Sequence, residues 1–328
     1  MRGELPDVRS LGSLGSRLLL TNDHRFIERI GPWVLHYDLA RDSNPAAMRA
    51  SSPLLFHVIL LSTTYYLIGN AERNMHIYQA LTSIVNELVA PILISPQPFQ
   101  LNVRPFRLHA SSLTNPNEDQ TDLVRSLALL LLYKPVQFAS LSTTGINSAA
   151  LAEQAAKLNS TTSSLLGGLI FRTALSISLP SVSNAFAKCF SPSSPTNPEL
   201  ISDLRLWYWI CLVDAHGALT TGRLGSLDIA STLRTTRLFA PLRLQPYDVR
   251  LAALVELYGT AKAAISQSGF AGARRVPPAE LRRLNRELDE WETYWREPLR
   301  EAGRRGDGLA WTVGTTFASF IRIVINSS

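Results

Sequence analysis

Hydrophobic residues recur along most of the chain at intervals of three and four positions, which is the spacing of one face of an α-helix. The clearest series is Leu281, Leu284, Leu288, Trp291 and Trp295. No stretch alternates polar and apolar residues for long enough to predict a β-strand. The sequence therefore predicts an all-α fold, in which about ten to fifteen helices form a single large irregular bundle.

This series has the spacing of a heptad seam, but it lasts for only about two heptads. Packing against the rest of the domain is therefore favoured over a coiled-coil homodimer, because a sustained seam needs more repeats. Charged pairs one helical turn apart, Arg286 with Glu290 and Glu292 with Arg296, support the opposite, exposed face.

Proline, glycine and short polar runs divide the chain into helical segments. Breaks are expected at residues 42–52, at Pro91, at the surface loop 191–197 and at the linker 270–278. We expect residues 1–20 to be flexible and residues 21–328 to form the helical domain. The predicted helices cover residues 23–33, 53–68, 75–89, 122–133, 147–156, 164–179, 198–221, 227–238, 248–266, 281–299 and 311–325.

Several of these helices are apolar on all sides, which is typical of a buried position. The segments 122–133 and 198–221 belong to this class. The segment 53–68 is equally apolar, but it contains His57 and is shorter than the roughly 20 residues that a membrane span needs. It is predicted to be a core helix, and no membrane partner is expected.

The composition is that of a folded protein, with 46% hydrophobic and 18% charged residues. A formal net charge of +6 could suggest nucleic-acid binding, but the densest basic region, 274–305, is interleaved with acidic residues. Such a pattern indicates a solvated helix face. The two cysteines, Cys189 and Cys211, have apolar neighbours and are expected to be buried free thiols.

No motif for phosphate binding, metal-dependent hydrolysis or a serine nucleophile occurs in the sequence. The six histidines are scattered, and no pair has the spacing of metal ligands beside a carboxylate. The chain is therefore predicted not to be an enzyme, with no catalytic, cofactor or metal residues of its own.

The segment 203–228 is the most unusual, because an apolar helix there carries charged and titratable residues. Buried charges are costly unless they are paired. The favoured interpretation is that Asp214 is paired inside the core and that the helix is scaffolding. The alternative is that Asp214, His216 and Arg223 line a polar pocket for a small ligand at the end of the helix.

Four stretches of the chain, in their order, resemble the middle homology region of fungal zinc-cluster transcription factors. They are FIERIGPWVL at 26–35, SPLLFHVILLSTTYY at 52–66, TDLVRSLALLLLY at 121–133 and the segment 205–223. The last resembles the family's most characteristic motif, in which an arginine begins a tryptophan-rich helix, an aspartate follows and Gly-Arg closes it. Its residues here are Arg205, Trp207, Trp209, Asp214, Gly222 and Arg223.

The resemblance implies a regulatory domain that modulates transcription in the nucleus. The expected partners are a small-molecule effector, a co-regulator protein or a second copy of the chain. In this family zinc and DNA are bound by a binuclear six-cysteine cluster, which this chain does not contain. DNA binding and zinc are therefore expected only in a full-length form with such a cluster. The alternative function is that of a helical small-ligand or lipid-binding protein unrelated to transcription.

Overall fold

The computed structural model describes seven segments of the chain between residues 45 and 326. The described residues are 45–66, 71–94, 116–132, 163–190, 197–221, 225–268 and 277–326. Two of the predicted helices, 23–33 and 147–156, and the expected flexible segment 1–20 lie outside the described residues.

The described residues form eleven α-helices and no β-strand, which confirms the all-α prediction. A single 3₁₀ turn, Ala240–Leu242, follows α8. In chain order the helices are α1 Pro45–Ser51, α2 Pro53–Tyr66, α3 Ala71–Ile94, α4 Pro116–Leu132, α5 Ser163–Ser176, α6 Ser181–Cys189, α7 Pro198–Thr221, α8 Ala230–Phe239, α9 Asp248–Ser268, α10 Pro278–Arg304 and α11 Ala310–Asn326.

The helices fall into two compact units, with the division between Ile177 and Ser178. In the first unit α2 packs against α1, α3 and α4, and α4 packs against α5. Its core is almost entirely aliphatic, with Val58 and Val85 fully buried beside Leu129. An apolar helix such as α2 needs this environment because it has no polar face to present to water.

A polar contact near the start of α2 joins this helix to α4. Pro53 occupies the first position of α2, where a missing N–H is tolerated. The hydroxyl of Ser52 donates to the carboxylate of Asp122 in α4, which also pairs with Arg125 at 3.1 Å. All three polar side chains are buried. Two of the stretches that resemble the fungal family, 52–66 and 121–133, therefore contact each other through apolar and polar groups.

In the second unit α9 is the central helix and packs against α7, α8, α10 and α11. Most of its residues between 248 and 261 are buried, and they include small residues such as Ala252, Ala253 and Ala261, which are fully buried. Small side chains allow several helices to approach one helix closely. This explains why α9 has no amphipathic pattern of its own.

The heptad-like series lies on α10 and faces the interior of the second unit. Leu284, Leu288, Trp291 and Trp295 are buried there, and Leu281 is partly buried. The helix packs against α9 and α11, and the indole N–H of Trp291 donates to the carbonyl of Ala253 at 2.9 Å. The prediction that this seam packs within the domain is confirmed.

Two expected breaks were wrong, and one short helix was missed. Helix α1 occupies residues expected to be a break, because Pro45 opens it and alanines follow. Helix α3 continues through Pro91 to Ile94, so packing on its buried face outweighs the loss of one backbone hydrogen bond. Residues 164–179 form α5 and a turn, and α6 was not predicted because only Ser183 and Phe186 of its short sequence are buried.

None of the described helices is by itself both long and apolar enough to cross a membrane. Two consecutive helices, α5 and α6, pass that test only when they are taken together, by length and composition alone.

Candidate functional site

The motif helix α7 carries a buried ion pair with the central helix α9. Arg205 donates to Asp248 through two bonds, Nε to Oδ1 at 2.7 Å and Nη2 to Oδ2 at 3.0 Å. The two side chains are 4% and 2% exposed. Asp248 is the first residue of α9, and its Oδ2 also accepts the backbone N–H of Gln245 at 2.8 Å. One carboxylate therefore both pairs with Arg205 and satisfies a backbone donor where the helix begins.

The aromatic residues of the motif join α7 to α8. Trp207 donates its indole N–H to the hydroxyl of Thr232 at 2.9 Å. The hydroxyls of Tyr208 and Thr235 share a hydrogen bond of 2.7 Å. Trp209 is also fully buried. These residues fill the core and have hydrogen-bond partners for their polar atoms, as buried tryptophan and tyrosine usually do.

Asp214 lies near the end of α7 at the centre of a polar cluster, which we call the Asp214 cluster and which comprises Asp214, Ser226, Leu227 and Lys262. Oδ1 accepts the backbone N–H of Ser226 at 2.8 Å. Oδ2 accepts the N–H of Leu227 at 3.1 Å and the ammonium group of Lys262 at 2.7 Å. Lys262 also donates to the carbonyl of Leu227. The cluster fixes the segment before α8 against both α7 and α9.

Gly225 makes the approach of Lys262 to Asp214 possible. A Cβ atom at this position would collide with Cε of Lys262 and lie 2.8 Å from Oδ2 of Asp214. Real Cβ atoms do not come that close to other heavy atoms. A glycine is therefore needed here for space.

His216 has different neighbours from Asp214. Its Nδ1 lies 3.0 Å from the hydroxyl of Tyr258 in α9, and its ring packs edge-on against Tyr258 and against Phe317 of α11. Burial lowers the pKa of His216, which favours the neutral imidazole. Burial raises the pKa of the Tyr258 hydroxyl.

The structure places five of the predicted site residues along one helix, α7: Arg205, Trp207, Trp209, Asp214 and His216. Arg205 and Asp214 are nine residues apart, which corresponds to about 14 Å along a helix. Both bind α9, and Asp214 has the internal partners expected of scaffolding. Gly222 and Arg223 lie outside the described residues, so the proposed pocket of Asp214, His216 and Arg223 stays a prediction.

The partners of these residues were not identified from the sequence. Asp248 begins a predicted helix but lies 43 positions from Arg205, and Lys262 lies 48 positions from Asp214. A buried charge signals that a partner exists, yet only the packing of α7 on α9 selects it. The one available signal was that Lys262 is an isolated lysine within an apolar helix.

A third buried ion pair of unit 2 joins α9 to the turn between α10 and α11. Nε of Arg250 lies 3.0 Å from Oδ2 of Asp307, and both side chains are 1% exposed. Burial raises the pKa of Asp307 to about 6, and Arg250 opposes that shift. The backbone of Asp307 links the end of α10 to the start of α11: its N–H donates to the carbonyl of Ala302, and its carbonyl accepts from the N–H of Ala310.

The expectation for the two cysteines holds for one of them. Cys211 is buried, and burial raises the pKa of its thiol. Cys189 is exposed, so the prediction of a buried thiol was wrong there. It is the last residue of α6, a short helix that buries only two side chains. Across the described residues no group of histidine, cysteine, aspartate or glutamate could hold a metal ion.

The chain is similar to a curated fungal protein along most of its length. The chain is 24% identical over 300 residues to the transcriptional activator of proteases prtT from Penicillium rubens. The match covers 91% of this chain and 38% of that protein. No protein-family model and no solved structure matches the chain. The chain thus has a distant homologue that is a fungal transcriptional activator, and it spans well under half of that homologue's length.

Proposed function

We propose that this chain is the regulatory region of a fungal transcription factor, acting in the nucleus as the middle homology region of a zinc-cluster protein does. The observation that carries the proposal is the match to a fungal transcriptional activator along 91% of the chain. The match extends through both compact units, so the proposal concerns the helical region as a whole.

The geometry supports a regulatory rather than a catalytic role. Arg205 and Asp214 each bind partners in other helices of their own unit. Their role is therefore to hold α7 on α9, and we assign them no contact with a substrate. We assign zinc and DNA binding to a cysteine cluster outside this sequence and to none of its residues.

The regulatory signal is proposed to arrive through a partner protein. Among the described motif residues the buried polar side chains have hydrogen-bond partners inside the protein. Few of their polar groups therefore remain to bind a small effector. A partner protein needs only exposed surface, which the charged faces of unit 2 provide. A helical lipid-binding function has no observation in its favour among the described residues.

The test is a fusion of residues 1–328 to a heterologous DNA-binding domain and a fluorescent protein, expressed in a fungal cell with a matching reporter gene. We expect nuclear fluorescence and a reporter output different from that of the DNA-binding domain alone. Asp248→Ala, which removes the partner of buried Arg205, should abolish the difference. Asp289→Ala, at an exposed pair, should preserve it.

The proposal is wrong if the wild-type fusion leaves reporter output unchanged on both an active and a silent promoter. Circular dichroism of the purified chain must show helical structure for that result to count. An equal effect of wild type and Asp248→Ala would also contradict it, because regulation would then not depend on the folded unit.

A further inference from the structure

The outer face of α8 and the turn after it form a continuous exposed surface in unit 2. We call it the basic–apolar strip, and it comprises Arg234, Arg237, Leu238, Pro241, Arg243 and Leu244, all exposed. Leu238 is 37% exposed and Leu244 is 52% exposed. Arg234, Arg237 and Leu238 follow one another at intervals of three and one positions, which places them on one face of α8, and Pro241 follows in the 3₁₀ turn.

The strip carries positive charge only. Residues 230–247 contain three arginines and no acidic residue. Arg237 pairs with Glu256 of α9 at 2.6 Å. Its guanidinium also lies 4.0 Å above the ring of Tyr294, so the strip adjoins α10. Within the described part of the chain Arg234 and Arg243 have no acidic partner. Two arginines beside exposed leucines are thus available to another molecule.

The backbone at Arg243 has an uncommon conformation. Its φ is 47°, in the left-handed region, where it ends the 3₁₀ turn Ala240–Leu242. Glycine or asparagine is the usual residue at such a position, because a longer side chain there costs free energy. An arginine occupies this position although its side chain is exposed and has no acidic partner in the described residues. A role outside the folding of the unit would explain it.

We propose that the basic–apolar strip is a docking surface for an acidic amphipathic peptide segment of a partner protein. Leu238 and Leu244 would receive its apolar side chains, and Arg234 and Arg243 would pair with its carboxylates. The proposal rests on charge complementarity and on the exposed leucines. It goes beyond the proposed function, because such docking does not depend on a role in transcription.

A peptide fits the strip better than a nucleic acid does. Phosphate backbones are bound by dense arrays of basic residues, whereas the strip has three arginines, one of which is already paired with Glu256. Exposed leucines and a proline add contact area for apolar side chains but nothing for a phosphate backbone.

The probe is a short fluorescein-labelled peptide whose aspartate and glutamate residues lie opposite a face of leucine and phenylalanine. Its binding to the full chain is measured by fluorescence anisotropy. We expect saturable binding that weakens as salt is raised. Two control peptides, one with lysine in place of the acids and one with serine in place of the apolar residues, should not bind.

The charge reversals Arg234→Glu and Arg243→Glu should each raise the Kd of the peptide about fivefold. Leu244→Ser should raise it about threefold. Arg282→Glu, an exposed arginine on α10, and Leu175→Ser, an exposed leucine in unit 1, are the matched controls. They should leave the Kd unchanged.

Arg243→Gly separates docking from folding. It removes the charge and relieves the left-handed strain, so the unfolding midpoint should equal or exceed that of wild type while the affinity falls about fivefold. The proposal is overturned if the strip variants bind like wild type or if the two control variants weaken binding equally. Displacement of the peptide by a short duplex DNA that binds the strip more tightly would also overturn it.

Discussion

Helices α7 and α10 both carry charged residues, but they use them in opposite ways. In α7 the charges of Arg205 and Asp214 are buried, and their partners come from α9. In α10 the charges lie on the outer face, and most partners lie one turn away on the same helix, as in Glu292 with Arg296. The same residue types thus connect helices in one region and cover a surface in the other.

The difference lies in the dielectric environment. A buried charge loses its hydration, so removal of its partner leaves a large uncompensated cost. An exposed charge keeps its water and is screened by salt, so its partner contributes little. The stability of unit 2 should therefore be sensitive to α7 and α9 and tolerant at the surface of α10. Five of the six tryptophans lie in this unit, so fluorescence reports on its unfolding.

The largest effect is expected for Asp248→Ala. The guanidinium of Arg205, 4% exposed, would lose its bidentate partner, and the free energy of unfolding should fall by about 3–5 kcal/mol. Urea denaturation followed by tryptophan fluorescence measures it. The control is Asp289→Ala, which breaks an exposed pair with Arg322 and should cost less than about 1 kcal/mol. Equal losses of stability in the two variants would contradict the claim that the buried pair contributes more than the exposed pair.

The second effect is a pH dependence of the free energy of unfolding, caused by the titration of Asp307. Its pKa is about 6 in the folded chain against 3.8 for an ordinary aspartate, so the folded state binds more protons between these values. The free energy of unfolding should then fall as pH rises from about 4 to 7, by on the order of 2–3 kcal/mol from this group. Asp307→Asn should lack this decrease, as measured by denaturation at several pH values.

Glu301, six residues before Asp307, supplies the control for that titration. Arg305 and Arg304 lower the pKa of the partly exposed Glu301 carboxyl by hydrogen bonding. It is therefore ionised throughout the range in which Asp307 titrates. Glu301→Gln should keep the wild-type slope between pH 5 and 7. A slope that vanishes in both variants would contradict the assignment to Asp307.

The third effect is steric. In Gly225→Ala the new Cβ would displace Lys262 from Asp214, and the free energy of unfolding should fall by about 1–2 kcal/mol. The loss is modest because the end of a lysine side chain can move. Gly303→Ala is the control, since open space surrounds that position within α10, and stability should rise by up to about 1 kcal/mol. Thermal unfolding compares the two, and a Gly225→Ala variant as stable as wild type would contradict the steric role assigned to Gly225.

The smallest effect is expected at the surface of α10. Arg296→Ala breaks the exposed pair with Glu292 and should change the free energy of unfolding by less than about 0.5 kcal/mol. Denaturation in low and high salt measures it. A loss as large as that of Asp248→Ala would show that surface charges matter as much as buried ones.

Local signals in the sequence were sufficient to predict the class of the fold and the positions of most helices. Strong periodicity identified α10, and continuous apolar runs identified α2, α4 and α7. The weak cases were α1 and α6, which are short and bury few side chains. Pro91 was expected to end a helix. Helix α3 nevertheless continues to Ile94, because packing of its buried face outweighs the backbone hydrogen bond that the proline removes.

For the candidate site, the sequence identified Arg205 and Asp214 as charges that need partners, but it did not identify Asp248 or Lys262. The cost of burying an unpaired charge follows from residue type and local hydrophobicity alone. Which residue neutralises it depends on contacts between positions far apart in the chain, here 43 and 48 residues.

By itself the sequence determined that this protein is helical and that α7 is a buried helix carrying charge, because periodicity and hydrophobicity are local properties of the chain. The tertiary structure decided that Asp214 faces Lys262, that His216 faces Tyr258, and that Arg234 and Arg243 flank exposed leucines. The physical reason is that side-chain partners are set by how helices pack, and packing is the joint outcome of all their surfaces.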